Sequence, residues 1–170
     1  ESILATRASV DHDGPIYIRL GKNGEPKIHK NEYKFKIGKS IRLLPGNDAT
    51  IISCGFVTNT ALEVSRTLAK DGIKIGVINM HTIKPIDSVQ ILEIAEKNGL
   101  IITVEEHNIV GGLGSAVAEV LSENGCGVIH KRIGIRDEFC YGVGSQSYHL
   151  KKNGISVANI TKIIKNNLIN

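Results

Sequence analysis

The feature that most constrains the fold is a regular alternation of apolar runs and amphipathic segments from residue 49 onward. The apolar runs are 49–55, 74–80, 100–106 and 127–135, and the amphipathic segments between them are 57–72, 87–99 and 113–125. Such alternation is typical of βαβ units on a mainly parallel sheet. The last segment, 156–168, carries its apolar residues on one helical face and predicts a closing helix.

Local signals support the ends of these helices. Thr60 with Glu63, and Asp87 with Gln90, have the spacing of capping boxes. Glycines follow the three inner helical segments, at Gly72, Gly99 and Gly125. Local chemistry and the overall pattern therefore agree on the same α/β fold.

The first 45 residues fall outside this alternation. Residues 1–14 predict the tail of a helix, 15–20 a strand, and 21–40 a polar linker rich in Lys, Gly and Asn. A helix and a strand without partners suggest the end of an upstream domain, with a boundary near residues 38–48. The absence of Met at the first position suggests a fragment, a processed product or a trimmed chain.

Composition narrows the class of protein. At 170 residues and 41% hydrophobic content, the chain can form one domain with part of another attached. No apolar run approaches the roughly 20 residues that span a bilayer, and the first residues lack the layout of a signal peptide. These observations predict a soluble, cytoplasmic protein with no membrane partner.

Cysteine usage and charge exclude two further classes. The three cysteines form no CxxC pair and are odd in number, which argues against a disulfide framework or a thiolate zinc site. The net charge is +4, but Lys and Arg are spread along the chain, and only four Tyr and three Phe are present to stack on bases. We therefore expect reduced thiols and no nucleic-acid partner.

Three polar residues, Glu105, Glu106 and His107, follow the apolar run at 100–104. Two carboxylates beside an imidazole could bind a metal or act as an acid/base group. Consecutive residues on a strand point in alternate directions, however, so the three side chains do not easily converge. We interpret them as hydrogen-bonding residues at a subunit or domain interface, and we predict no metal site.

A glycine-rich turn comes next, with Gly111, Gly112 and Gly114 at the start of a helical segment. A helix N-terminus of this kind could cradle a phosphate. The spacing is neither GxGxxG nor GxxxxGK[ST], and no acidic residue follows in the ribose-binding place. A tight turn that lets the helix pack closely on its neighbours is the better interpretation.

Several phrases, taken in order, resemble the transketolase family, whose members depend on thiamine diphosphate. They are HDGPIYIRLGK at 12–22, ATIISCG at 49–55, HTIKPID at 81–87, VEEH at 104–107, GGLGSAVAE at 111–119 and RIGIRDEF at 132–139. The resemblance implies that residues 1–38 are the tail of the pyrimidine-binding domain with its linker, and that 39–170 form the C-terminal domain. That domain is a three-layer α/β/α unit with a mainly parallel, mixed five-stranded sheet, whose first, antiparallel strand would be 40–44.

The resemblance also implies what this chain lacks. Nothing in it resembles the family's GDG-and-Asn metal site, and the glutamate that activates the cofactor would lie upstream of Glu1. Thiamine diphosphate and a divalent cation such as Mg²⁺ would belong to the complete enzyme, a homodimer of the pentose phosphate pathway, with none bound to this chain alone. The partner would be the missing N-terminal transketolase region or subunit, and the chain would be inactive in isolation.

Arg19 is the strongest candidate for a functional residue. From the residues alone it could emerge from a strand to pair with a surface carboxylate. In the family, the arginine at this position contacts the phosphate of the sugar substrate, a task that suits the planar guanidinium fork. The resemblance therefore implies that Arg19 binds a sugar phosphate.

Other readings stay open. The related enzymes are 1-deoxyxylulose-5-phosphate synthase and the beta subunits of 2-oxo-acid dehydrogenases, although the latter generally lack the arginine. A reading of another class is a noncatalytic α/β interaction or regulatory module, which would bind a partner or a ligand through the loop at 105–114.

Overall fold

The computed structural model describes residues 1–21, 25–29 and 32–168. The strands in this part of the chain are β1 (Ile41–Leu44), β2 (Ala49–Ser53), β3 (Ile75–Asn79), β4 (Leu100–Asn108) and β5 (Ile129–Ile135). The helices are α1 (Ser2–Val10), α2 (Val57–Ala69), α3 (Ser88–Lys97), α4 (Leu113–Glu123), α5 (Gln146–Lys152) and α6 (Val157–Leu168). The alternation predicted from residue 49 onward is confirmed, and so is the closing helix.

The strands form one sheet in the order β1-β3-β2-β4-β5. Strand β1 runs antiparallel to β3, whereas β2, β3, β4 and β5 pair in parallel. The mixed five-stranded sheet with an antiparallel first strand is therefore confirmed. Because four strands are parallel, their carboxyl ends meet at one edge.

Helices cover both faces of the sheet. One face packs against α2, α5 and α6 through a cluster that includes Ile51, Ile102 and Ile160. The other face packs against α3 and α4 through a cluster that includes Ile52, Ile101 and Val117. Neighbouring strand residues alternate between the two clusters, as the two-residue period of a strand requires. The three-layer α/β/α prediction is confirmed.

Three local predictions need correction. Residues 15–20 form no strand, because no neighbouring strand in the described chain offers them backbone partners. Thr60 and Glu63 form no capping box, since α2 already begins at Val57. Asp87 does cap α3 by accepting a bond from Gln90 N at 3.5 Å, but the Gln90 side chain turns to Glu93 instead of completing a box.

The polar linker and helix α5 could not be compared with a confirmed prediction. The predicted linker at 21–40 includes residues 22–24 and 30–31, which lie outside the described residues. Helix α5 was not predicted, because Leu150 is the one buried residue in its seven and gives no periodic signal. The cap Ser145, which accepts a bond from Tyr148 N, was the available clue. No helix in the described ranges is long and apolar enough to cross a bilayer.

Candidate functional site

The carboxyl ends of the parallel strands form the candidate site, and the chain that precedes β1 lies against them. The Glu1 carboxylate accepts a hydrogen bond from Asn79 Nδ2, at the end of β3, at 2.6 Å. The ring of Phe35 stacks on His81, just beyond β3, with 4.2 Å between centroids. Ligand and partner sites of open α/β sheets lie beyond this edge. Residues far apart in sequence thus meet where such sites are found.

Arg19 reaches the end of β4. Its Nη1 donates to the backbone carbonyl of Glu106 at 3.1 Å, which is its one hydrogen bond to the described residues. The side chain is exposed, and its charge also acts on Cys54, just beyond β2. A guanidinium held by a single N–H keeps a fork of donors for an anion. The geometry is compatible with the predicted phosphate contact, which stays a prediction.

Glu105 holds the start of α4. Its carboxylate is buried, and it accepts bonds from Leu113 N at 2.7 Å and Gly114 N at 2.8 Å. The first N–H groups of a helix lack partners within the helix and attract negative charge. The sequence reasoning missed this role. The signal was a helix whose N-cap, Gly112, offers no side chain, preceded by a carboxylate at a strand end.

Glu106 and His107 point elsewhere. The Glu106 carboxylate accepts bonds from Gln146 Nε2, the first residue of α5, with 2.8 Å to each oxygen. The exposed His107 ring donates from Nδ1 to the carbonyl of Asn108 at 2.8 Å. The same nitrogen lies 4.0 Å from Glu105 Oε2. The three residues therefore have three different surroundings, and the interface role predicted for them stays a prediction.

The glycine turn is closely packed. A Cβ on Gly112 would collide with the Glu105 carboxylate, and a Cβ on Gly114 would lie 2.8 Å from Thr103 Oγ1. Gly111 has a φ of +74°, a conformation that favours glycine. Because Glu105 already occupies the N–H groups at this helix start, the turn offers a poor phosphate cradle. The structure favours the interpretation of the turn as a packing element.

Cys54 lies just beyond β2, half-buried, where the charges of Glu105 and Arg19 both act on it. Burial raises the pKa of its thiol to about 12, and the negative charges of Glu105 and Glu1 act in the same direction, against the lowering effect of Arg19. The thiolate is the reactive form of cysteine. Cys54 is therefore a protonated thiol near neutral pH and a poor nucleophile.

A second polar cluster surrounds the end of β3. The Glu1 carboxylate also lies 2.8 Å from His29 Nε2, and the His29 ring stacks on Tyr33 at 3.9 Å. Burial lowers the pKa of His81. Three buried atoms here, Tyr33 Oη, Asn79 Oδ1 and His81 Nε2, have no partner within the described residues. Buried polar atoms normally have partners, so this surface is suited to further contacts.

The described residues do not group the side chains that a cation needs. Nowhere in the described ranges do three His, Cys, Asp or Glu side chains come close enough to hold a metal ion. The buried carboxylates near this edge are also engaged: Glu105 accepts two backbone N–H bonds, and Asp87 accepts from Ser40 N at 2.8 Å. Both carboxylates are therefore already bonded within the domain.

Fold and site together define a class: an α/β/α domain whose strand ends receive the chain segment that precedes it. A comparison with family models matches residues 38–160 to the transketolase C-terminal domain. The chain belongs to the transketolase family, a family of transferase-type, thiamine-diphosphate-dependent enzymes.

Individual relatives agree with this assignment. The chain is 41% identical over 152 residues to a 6-deoxy-6-sulfo-D-fructose transketolase subunit, SqwH, of Clostridium sp. (strain MSTE9), covering 89% of this chain and 46% of the relative. It is 42% identical over 136 residues to 1-deoxy-D-xylulose-5-phosphate synthase 1 of Geobacter sulfurreducens, covering 78% of this chain and 21% of the relative. The chain thus spans less than half of either relative.

A solved structure shares the whole fold. It is a split-gene transketolase in the form of an inactive β4 tetramer, with a TM-score of 0.88 and 36% identity. The match covers 98% of this chain and 55% of that one. The similarity therefore includes the segment that precedes β1 as well as the domain matched by the family model.

Proposed function

We propose that this chain is the C-terminal part of a transketolase that transfers a two-carbon ketol unit between sugar phosphates. The observation that carries the proposal is the family match over residues 38–160. In this proposal residues 1–38 are the end of the pyrimidine-binding domain with its linker, and 39–170 form the C-terminal domain. Glu106 and His107 then serve domain or subunit contacts, while Glu105 and the turn at 111–114 are structural and hold the start of α4.

In this proposal the C-terminal chain and the N-terminal region have different roles in the complete enzyme. This chain supplies Arg19 as the contact to the substrate anion and a domain that stabilises the dimer. In this proposal thiamine diphosphate and its Mg²⁺ are held by the N-terminal region. One relative is a transketolase subunit, and one solved relative is a split-gene transketolase described as an inactive β4 tetramer. Both names support the proposal that this chain works with a separate N-terminal subunit.

The substrate class follows from Arg19. Its guanidinium fork matches the oxygens of a tetrahedral anion such as a phosphate. One relative acts, by its name, on a sulfonated fructose, and a sulfonate presents the same kind of oxygens. We therefore expect a ketose or aldose with a terminal phosphate or sulfonate. Cytoplasmic location suits three cysteines that are all free thiols.

Reconstitution tests the proposal. The chain is mixed with the N-terminal subunit, thiamine diphosphate and Mg²⁺, and two-carbon transfer between sugar phosphates is followed by chromatography of the products. We expect transfer in the mixture and none with either chain alone. Tight association without any transfer would reject the enzyme and favour the noncatalytic interaction module.

A second candidate, 1-deoxyxylulose-5-phosphate synthase, is supported by 42% identity to the Geobacter enzyme. The products separate the two enzymes. Formation of 1-deoxyxylulose 5-phosphate from a 2-oxo acid, without ketol transfer between sugars, would select the synthase. The match covers only 21% of that relative, and PIYIRLGK at 15–22 favours the transketolase.

A further inference from the structure

We propose that Glu106 and Gln146 are positioning residues for Arg19, and that they keep its guanidinium available to the substrate anion. The inference rests on the proposed function, which makes Arg19 the anion contact. It adds two residues of the C-terminal domain that touch no substrate themselves. They act on Arg19 through the backbone carbonyl of Glu106, which accepts the Arg19 bond, and through the Glu106 carboxylate, which accepts from Gln146.

Arg19 bonds to β4 where the pairing of this strand is irregular. Strand β2 pairs with β4 only as far as Val104, and the pairing with β5 breaks its register between Val104 and Asn108. Glu106 lies inside this irregular stretch, and its carbonyl accepts the bond from Arg19 Nη1 at 3.1 Å. The position of Arg19 therefore depends on a strand end that the regular sheet does not fix.

Gln146 of α5 fixes that strand end. Gln146 Nε2 lies 2.8 Å from both carboxylate oxygens of Glu106 and joins β4 to α5. Helix α5 is itself anchored, because Leu150 is buried in the core cluster shared with α2 and α6, and because Ser145 caps its first turn. Gln146 thus ties Glu106 to a packed part of the domain.

The charge of the Glu106 carboxylate also affects Arg19. Arg19 donates to the backbone carbonyl of Glu106, while the carboxylate of the same residue is bonded to the neutral amide of Gln146. A carboxylate released from Gln146 would be a competitor of the substrate anion, because guanidinium and carboxylate form a bidentate pair. Gln146 therefore keeps the Arg19 guanidinium oriented, and it prevents the Glu106 carboxylate from neutralising the guanidinium charge.

The test begins with the chain itself. The Nε–Hε signal of Arg19 is assigned with Arg19→Lys in arginine-labelled protein, and its ¹⁵N relaxation is measured in wild type and in Gln146→Ala. We expect the relaxation of Arg19 to change in Gln146→Ala. The matched control is Gln90→Ala, since Gln90 donates to Glu93 at 3.1 Å on the remote helix α3. An Arg19 signal equal in wild type and Gln146→Ala would overturn the positioning role.

Kinetics of the reconstituted enzyme supply the second readout. In Gln146→Ala we expect the KM for a phosphorylated acceptor to rise about fivefold, with kcat and the KM for an unphosphorylated acceptor unchanged. Adding Glu106→Gln should restore part of the KM, because it removes the competing charge but not the lost tie to α5. An equal KM rise for both acceptors, or no rescue, would overturn the proposal. A mixture with no ketol transfer would reject the proposed function, while the relaxation of Arg19 still decides the positioning role.

Discussion

At the scale of single residues, the most consequential side chain is one whose role the sequence did not predict. Glu105 is a buried carboxylate that binds two N–H groups at the start of α4. Strand alternation indicated that the three side chains of Glu105, Glu106 and His107 would not easily converge, but the partner of each side chain depends on chain elements distant in sequence. Spacing alone cannot supply those partners.

Loss of the Glu105 carboxylate should therefore destabilise the domain. In Glu105→Ala two buried backbone N–H groups lose their acceptor, and we expect a loss of about 3 kcal/mol in the free energy of unfolding. Urea denaturation measures this value. The control is Glu119→Ala, on the exposed side of the same helix, with an expected change within about 0.5 kcal/mol. Equal losses in the two variants would show that Glu105 does not hold α4.

Asp87 gives a pH-dependent prediction. Burial alone would raise the pKa of its carboxyl, but hydrogen bonds from Ser40 N, Lys39, Ser40 Oγ and Gln90 N outweigh burial and lower the pKa. A lowered pKa means that the carboxylate stabilises the fold above its unfolded pKa of about 3.9, and that this stability is lost as pH falls through the lower folded pKa. The bonds also tie the start of β1 to α3.

Asp87→Asn tests this reasoning. We expect the variant to lose about 2 kcal/mol of unfolding free energy at pH 7, and the difference from wild type to shrink as the pH falls below about 4. Urea denaturation at both pH values measures the difference, with the exposed Asp13→Asn as a control. A difference that stays constant with pH would contradict the stabilising role of the ionised carboxylate.

At the scale of elements, the glycine turn before α4 determines how closely the helix meets the sheet. Gly112→Ala should destabilise the domain by about 2 kcal/mol, because a Cβ would collide with the Glu105 carboxylate and lie 2.7 Å from the carbonyl of Asn108. Gly99→Ala is the control, since a Cβ there meets nothing within 4 Å, and we expect little change or a gain of about 0.5 kcal/mol. Thermal or urea unfolding compares them, and similar stabilities would argue against close packing at the turn.

Some helices and strands could be predicted from the sequence, and others could not. Helix α6 carries an apolar face and strands β2 to β5 carry apolar runs, and their predictions are confirmed because these apolar residues supply much of the core. The apolar run at 15–20 looked like a strand but has no strand beside it. Helix α5 buries only Leu150 and left no pattern to detect. Burial against the core is what made an element predictable.

At the scale of the whole molecule, the segment before β1 contacts the strand ends of the following domain through residues that include Glu1, Arg19 and Phe35. The resemblance pointed to Arg19, and strand alternation indicated that the side chains of Glu105 and Glu106 would not easily converge. Neither predicted that the Arg19 guanidinium bonds to the carbonyl of Glu106, or that Glu1 bonds to Asn79. Such contacts join residues 87 and 78 positions apart, and they depend on how the segment folds back.

We propose that Arg19 contributes the substrate-anion contact of a transketolase whose catalytic centre belongs to its partner. The most direct measurement compares Arg19→Ala with wild type in the reconstituted enzyme, using a phosphorylated acceptor and its unphosphorylated counterpart. The account predicts a rise of about tenfold or more in KM for the phosphorylated acceptor and little change for the other. An equal effect on both acceptors would contradict it.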